Sequence, residues 1–105
     1  MSLRSRLPSN GALFVFEAAS RRQNFSDAGR EFNVTQPAVS KTIRQLEERL
    51  GTMLFSRTSS GVKLTRSGEI LAEAVSGGFR QIEAALKELE RMRDSPATVT
   101  ISMSS

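Results

Sequence analysis

The chain has 105 residues, which suits one small domain, and its 15 basic against 11 acidic side chains give a net charge of +4. It contains no Cys and no His, which excludes disulfides, Cys-based zinc sites and the usual general base of hydrolases. No apolar run approaches the roughly 18 residues of a membrane span and no secretion signal follows the basic N-terminus, so we expect a cytoplasmic protein.

Two helices are predicted in the first third of the chain. Apolar residues at a spacing of three predict the first helix, and these are Leu13, Phe16 and Ala19. It ends near Arg22, and the helix dipole accounts for the basic pair Arg21 and Arg22 at that end. The second helix is short, with Ser26 as its candidate N-cap and Asn33 as a left-handed residue at its C-terminus.

A third, longer helix is predicted after a turn of about three residues. Thr35 is its N-cap, Pro37 lies in its first turn, and Gly51 ends it. Its apolar side follows from the spacing of Val39, Ile43, Leu46 and Leu50. A short helix and a longer helix joined in this way are typical of a helix-turn-helix, here over about residues 25–44.

A small hairpin and a long helix complete the predicted elements. Two alternating segments flank a turn that ends at Gly61, so a hairpin, or wing, is expected over about residues 54–65. Residues 66–93 then carry apolar side chains at steps of three and four, the a/d seam of a coiled coil. The seam consists of Ala72, Val75, Phe79, Ile82, Leu86 and Leu89. A helix of roughly 40 Å needs a partner helix, so we expect a homodimer.

The N-terminal two-thirds of the chain and the remainder differ in net charge, and the last residues predict a separate element. Residues 1–66 carry 11 basic and five acidic side chains, a net charge of +6, whereas residues 67–105 carry four and six, a net charge of −2. Residues 94–105 read as a hinge and a single half-buried strand, which is not stable alone. We therefore expect three parts, a winged helix-turn-helix (1–65), a dimerisation helix (66–93) and the start of a truncated further domain (94–105).

Side chains suited to DNA are concentrated at the start of the third helix. Gln pairs with adenine, Ser and Thr reach base edges or phosphates, and a small Ala can touch a thymine methyl. Candidates for base or groove contact are Thr35, Gln36, Pro37, Ala38, Ser40 and Arg44, and candidates for phosphate contact are Ser26, Lys41, Arg57 and Lys63. Each residue taken singly also fits an ordinary solvated surface, but the group favours DNA.

Several motifs occur together in a fixed order. They are Phe25-Ser26-x-Ala28, Val34-Thr35-Gln36-Pro37-Ala38-Val39-Ser40, Ile43-x-x-Leu46-Glu47, Leu50-Gly51, Leu54-Phe55-x-Arg57 and Leu64-Thr65-x-x-Gly68. Over residues 8–68 the chain resembles the DNA-binding region of LysR-type bacterial transcriptional regulators. Its first residues, Leu7-Pro8 and Leu13-x-x-Phe16-Glu17-Ala18-Ala19, are similar to the subgroup of glycine-cleavage activators and β-lactamase regulators.

The resemblance implies a mainly α winged helix-turn-helix that reads an interrupted dyad in double-stranded DNA and dimerises through paired linker helices. It also implies a separate effector-binding domain, so a small-molecule effector is expected there and no cofactor in residues 1–105. Whether the full-length protein is a dimer or a tetramer stays open. Gly29 stands where the family usually has alanine, which should weaken the second helix. Ser59-Ser60-Gly61 replaces a commonly basic wing tip, which leaves more of the contact to Arg57.

One alternative function stays open at this point. A winged helix with a coiled coil can serve as a protein-interaction module that does not bind DNA. An enzyme is not expected, because no nucleophile–base pair and no phosphate-binding glycine loop is evident.

Overall fold

A computed structural model describes residues 10–94, which form four helices and one two-stranded antiparallel hairpin. The elements are α1 (Asn10–Arg22), α2 (Phe25–Phe32), α3 (Gln36–Leu50), β1 (Phe55–Thr58), β2 (Gly61–Leu64) and α4 (Arg66–Asp94). The predicted fold class, a mainly α winged helix-turn-helix followed by a long helix, is confirmed. The strand pattern at the C-terminus of the chain lies outside the described residues.

The N-cap of α2 is Asn24, so the prediction of Ser26 as the cap is wrong. Asn24 has an extended backbone, and its side-chain oxygen accepts a hydrogen bond from the Asp27 amide at 2.9 Å. Both residue types are good caps, but starting the helix at Phe25 puts that aromatic ring into the core. Ser26 therefore lies in the exposed first turn of α2.

The predicted ends of α3 are confirmed. The Thr35 hydroxyl accepts a hydrogen bond from the Ala38 amide at 3.2 Å, and Pro37 lies in the first turn, where a helix needs no amide donor. Gly51 ends the helix in the left-handed region, with φ of 73°, and its amide donates to the Glu47 carbonyl at 2.8 Å.

The turn between α2 and α3 depends on a close approach of two backbone segments. Asn33 takes the expected left-handed conformation, and the Val34 amide donates to the Gly29 carbonyl at 2.8 Å. A Cβ atom on Gly29 would lie 2.6 Å from the Val34 carbonyl oxygen. Gly29 therefore lets the turn pass close to the helix, which the sequence did not indicate. That this glycine weakens α2 stays a prediction.

Three aromatic rings join the hairpin to the helices. The buried Phe55 ring of β1 meets Phe16 of α1 and Phe25 of α2 edge to face, with centroids 5.6 and 5.2 Å apart. The other apolar residues of this core are Ala12, Ala18, Ala19, Ala28, Val39, Ile43, Leu46, Leu54 and Val62. The base of the wing is therefore part of the same hydrophobic core as the helix-turn-helix.

The described residues fall into two compact units, of which the first extends through Val75 and the second begins at Ser76. The first part of α4 thus belongs to the unit that contains the winged helix-turn-helix. In residues 76–94 the large apolar side chains Ile82, Leu86 and Leu89 are 54–59% exposed. No helix in the described part of the chain is apolar enough over a sufficient length to cross a bilayer.

Candidate nucleic-acid interface

Helix α3 buries one side and exposes the other. Val39, Ile43 and Leu46 are buried, whereas Lys41 and Arg44 are exposed on the side away from them. No acidic side chain lies in the first turn, so the N-terminal end of the helix keeps the positive potential of its amides. The N-terminal end of α3 can therefore approach a polyanion without repulsion from an acidic side chain in its first turn.

A small groove brings together three candidate residues from three different elements. Ser26 of α2, Gln36 of α3 and Arg57 of β1 line a groove of about 150 Å³. Asn24 and Gly61 contribute to the same walls. The groove combines the first turns of two helices with a guanidinium group, which are donors suited to a phosphate oxygen.

A larger groove continues from α3 to the hairpin. It encloses about 840 Å³, and the candidates Ser40, Arg44 and Arg57 line it together with Glu47 and Met53. Phe25, Arg57 and Val62 line both grooves, and Arg57 is the member of this set that is also a candidate for DNA contact.

The two basic residues of the hairpin lie on opposite faces. Arg57 pairs with the buried Val62, and Lys63 pairs with the exposed Ser56 in the neighbouring register position. Directly paired residues share a face and successive residues alternate, so Lys63 points away from the side that carries Arg57. The structure brings Arg57 to the other candidates but does not bring Lys63 there.

Ala38 and Thr35 also differ from the other candidates in their placement. At about 100° per residue, Ala38 lies roughly 160° around α3 from Gln36 and from Ser40, so the three do not share one face. Ala38 is exposed, and its carbonyl accepts a hydrogen bond from the Thr42 hydroxyl at 3.0 Å. The Thr35 oxygen is engaged in capping.

The arginines of α1 and α2 are matched by carboxylates. Arg21 contacts Glu17 at 3.0 Å and Glu31 at 2.7 Å, Arg22 contacts Glu31 at 2.8 Å, and Arg30 pairs with Asp27. Hydrogen bonds from Arg21, and then from Arg22, hold the pKa of Glu31 below its ordinary value.

The four basic candidates near the grooves and on the wing are not matched in this way. Lys41, Arg44, Arg57 and Lys63 are exposed, and within residues 10–94 none of them makes an ion pair. The positive potential of the first compact unit is therefore concentrated around α3 and the hairpin.

Sequence reasoning missed the role of one residue in this region. Glu47 occurs in one of the quoted motifs but was not a candidate site residue, yet its carboxylate accepts backbone hydrogen bonds from Leu54 and Phe55. The spacing of residues along the chain does not identify these contacts. No cluster of three carboxylates that could hold a metal ion occurs in the part of the chain that the structure describes.

The seam of α4 is only partly open. Val75 is buried within the first compact unit, and Ala72 and Phe79 are half-buried. Ile82, Leu86 and Leu89 carry most of the exposed apolar surface of the predicted seam. Met92 continues this surface at 43% exposure.

Residues 11–69 match the protein family that is described as "bacterial regulatory helix-turn-helix protein, lysR family". The chain is 49% identical over 87 residues to the HTH-type transcriptional activator AmpR of Providencia stuartii, covering 83% of this chain and 30% of the relative. It is 42% identical over 84 residues to the carbapenem-hydrolyzing β-lactamase transcriptional activator of Enterobacter cloacae, covering 80% and 28%. The chain thus spans about 30% of the length of the curated relatives it matches.

Among solved structures, the chain is similar to a crystal structure of the BenM DNA-binding domain in complex with catB site 1 DNA. The TM-score is 0.72 at 27% sequence identity, over 90% of this chain and 98% of that chain. That neighbour is a DNA-binding domain bound to DNA.

Proposed function

Because the chain belongs to the lysR family of bacterial regulatory helix-turn-helix proteins, we propose that it is the sequence-specific DNA-binding module of a transcriptional regulator. Its ligand is double-stranded DNA, with α3 in the major groove and the wing on the adjacent backbone or minor groove. The family consists of regulators rather than enzymes.

The observation that carries the proposal is the separation of matched from unmatched cations. The arginines of α1 and α2 form ion pairs with carboxylates, whereas four candidate cations make none within residues 10–94. These four are Lys41, Arg44, Arg57 and Lys63. Positive charge concentrated on one side of a folded domain attracts an anionic partner and speeds its association. Binding of phosphates releases counterions, and this release supplies the affinity.

The candidate residues take different roles in this proposal. Gln36, Ser40 and Arg44 face the wing side of α3 and contact base edges, while Lys41 and Ser26 contact phosphates. Arg57 contacts the backbone or the minor groove beside them. Thr35 and Pro37 determine how closely the N-terminal end of α3 approaches the DNA. Ala38 and Lys63 contact DNA at the edges of the interface.

The proposal extends to the assembly. The exposed apolar residues of α4 pair with those of a second chain, and the two heads of the homodimer read the halves of an interrupted dyad. In the full-length protein a small-molecule effector binds a further domain outside these 105 residues, and the regulator, as a dimer or a tetramer, resides on the nucleoid in the cytoplasm.

The experiment is a salt titration of binding to a random-sequence duplex, followed by fluorescence anisotropy. The logarithm of the affinity should fall with the logarithm of salt by ~0.9 per phosphate neutralised. Lys41→Gln and Arg57→Gln should each reduce the slope by about 1, because each removes one phosphate contact.

Arg22→Gln is the matched control, because Arg22 is already paired with Glu31. It should leave the salt slope nearly unchanged. A slope near zero, or no binding at low salt, contradicts the proposal and favours the protein-interaction module instead.

A further inference from the structure

We propose that Glu47 is a positioning residue that holds the wing against α3 and thereby places Arg57 at the DNA backbone; this inference rests on the proposed function. One oxygen of the Glu47 carboxylate accepts hydrogen bonds from the amides of Leu54 at 2.8 Å and Phe55 at 3.2 Å. The Glu47 carbonyl also accepts from the amides of Gly51 and Thr52, at 2.8 and 3.2 Å. Glu47 thus holds the connection between α3 and β1 through both its backbone and its side chain.

The segment that enters the wing has its backbone polar groups satisfied from two sides. The carbonyl of Met53 accepts from the Thr65 hydroxyl at 2.6 Å, and that of Leu54 accepts from the Thr65 amide at 2.9 Å. The two amides of the same segment are the ones bonded to Glu47. Because Leu54 and Phe55 are buried, these amides have no ready substitute in water when the carboxylate is removed.

The position of Glu47 links this anchor to Arg57. Phe55 and Arg57 are two residues apart on β1 and share a face, so the orientation of one determines that of the other. The Phe55 ring is fixed between Phe16 and Phe25, and its amide is fixed by Glu47. The packing of the Phe55 ring fixes the position of the start of β1 in the core. The hydrogen bond to Glu47 fixes the direction in which β1 continues from there towards Arg57.

The negative charge of Glu47 is unfavourable on a helix that binds DNA. A carboxylate on such a helix repels the phosphates of DNA. The repulsion is reduced at Glu47 because its carboxylate accepts hydrogen bonds from the amides of Leu54 and Phe55. The adjacent Glu48 carries the same charge, is exposed, and makes no hydrogen bond within the described residues. Glu48 is therefore a matched control, because its removal changes the charge and nothing in the wing.

The test is a double-mutant cycle on a random-sequence duplex. Arg57→Gln should weaken binding about tenfold in the unsubstituted chain and in the Glu48→Ala and Glu47→Gln backgrounds, but less than about threefold in the Glu47→Ala background. Glu47→Gln rescues the wing because its amide oxygen can accept both hydrogen bonds. The gain from deleting one acidic charge is common to Glu47→Ala and Glu48→Ala and cancels.

Hydrogen exchange of the DNA-free chain gives a second readout. The amides of Leu54 and Phe55 should exchange at least about tenfold faster in Glu47→Ala and remain protected in Glu47→Gln and Glu48→Ala. Where Glu47→Ala does not fold, Glu47→Asp, whose carboxylate is one methylene shorter, takes its place in both measurements.

The outcomes separate this inference from the function on which it rests. An equal Arg57→Gln penalty in the Glu47→Ala and Glu48→Ala backgrounds, or unchanged protection of the two amides, overturns the positioning role while DNA binding stands. Failure of the unsubstituted chain to bind any duplex contradicts the proposed function and this inference together.

Discussion

The two compact units of the chain differ in whether they bury apolar side chains. In the unit that extends through Val75, Phe16, Leu46 and Leu54 are at most 1% exposed. In residues 76–94, Leu86 and Leu89 are more than half exposed although they are equally apolar. The first unit therefore closes a core of its own, although Met53 and Ile70 are 62% and 58% exposed. Within residues 76–94, by contrast, no side chain is buried, so the second unit has no core of its own in the described part of the chain.

In the proposed function the two units serve two kinds of recognition. A polar, basic surface suits DNA, because its phosphates need countercharge and its base edges need hydrogen bonds. An apolar helix face suits a second copy, because a repeated a/d seam buries the same residues on both chains. Substitutions in the second unit should therefore change assembly and, through it, operator affinity, whereas substitutions in the first unit should change DNA binding but not assembly.

The largest expected effect comes from the apolar face of α4. The double substitution Leu86→Gln/Leu89→Gln should convert the dimer to monomers, because glutamine keeps helix propensity and removes apolar burial. Since the two heads then no longer bind as one ligand, affinity for a dyad operator should fall by roughly 10²- to 10⁴-fold. Light scattering measures the assembly, and anisotropy on the operator measures the affinity.

Ala84→Gln is the control for that substitution, since Ala84 is exposed on the other side of the helix from the seam. It should leave both the dimer and operator binding intact. A double variant that remains dimeric would break the comparison, because the exposed apolar residues would then not be what joins the chains.

An intermediate effect is expected from Gln36 in the first unit. Gln36→Ala should lower discrimination between the correct and a substituted base pair by about 1–3 kcal/mol, because it removes a base-edge contact. Its affinity for random DNA and its dimerisation should be unchanged, unlike those of variants in the basic residues or in the seam. Equal losses on operator and random duplexes would contradict the base-reading role, and Gln81→Ala on α4 controls for the loss of an exposed helical glutamine.

The smallest effect is expected from Glu31, which joins α1 to α2. Its pKa is lowered by hydrogen bonds from Arg21 and Arg22, so it stabilises the fold above the pKa of an unfolded glutamate. Glu31→Gln should cost about 0.2–1 kcal/mol of unfolding free energy near pH 7, as is typical for exposed pairs. The difference from the unsubstituted chain should disappear as the pH falls through the folded pKa of Glu31.

Urea unfolding at neutral and acid pH measures this difference. Glu48→Gln serves as the control, because Glu48 makes no ion pair in the described residues. A difference that grows toward acid pH would show that the arginine contacts do not stabilise the charged form of Glu31.

Local patterns in the sequence were sufficient for the order of the elements, the ends of α3 and the family. Thr35, Pro37 and Gly51 have conformational preferences that act within a single turn, and the apolar spacing of a helix shows which side is buried. The residues at the start of α3 were likewise chosen as candidates from their residue types and their positions along the helix. This choice does not depend on which residues pack against them.

The tertiary structure alone decided the features that depend on distant contacts. The burial of Phe25 moved the start of α2 to put the cap at Asn24, and the hairpin register separated Arg57 from Lys63. Glu47 acquired its partners because the chain turns back at Gly51 and brings two amides to its carboxylate. Residues far apart in sequence meet only when the core closes, and no local preference encodes which polar groups then lie opposite one another.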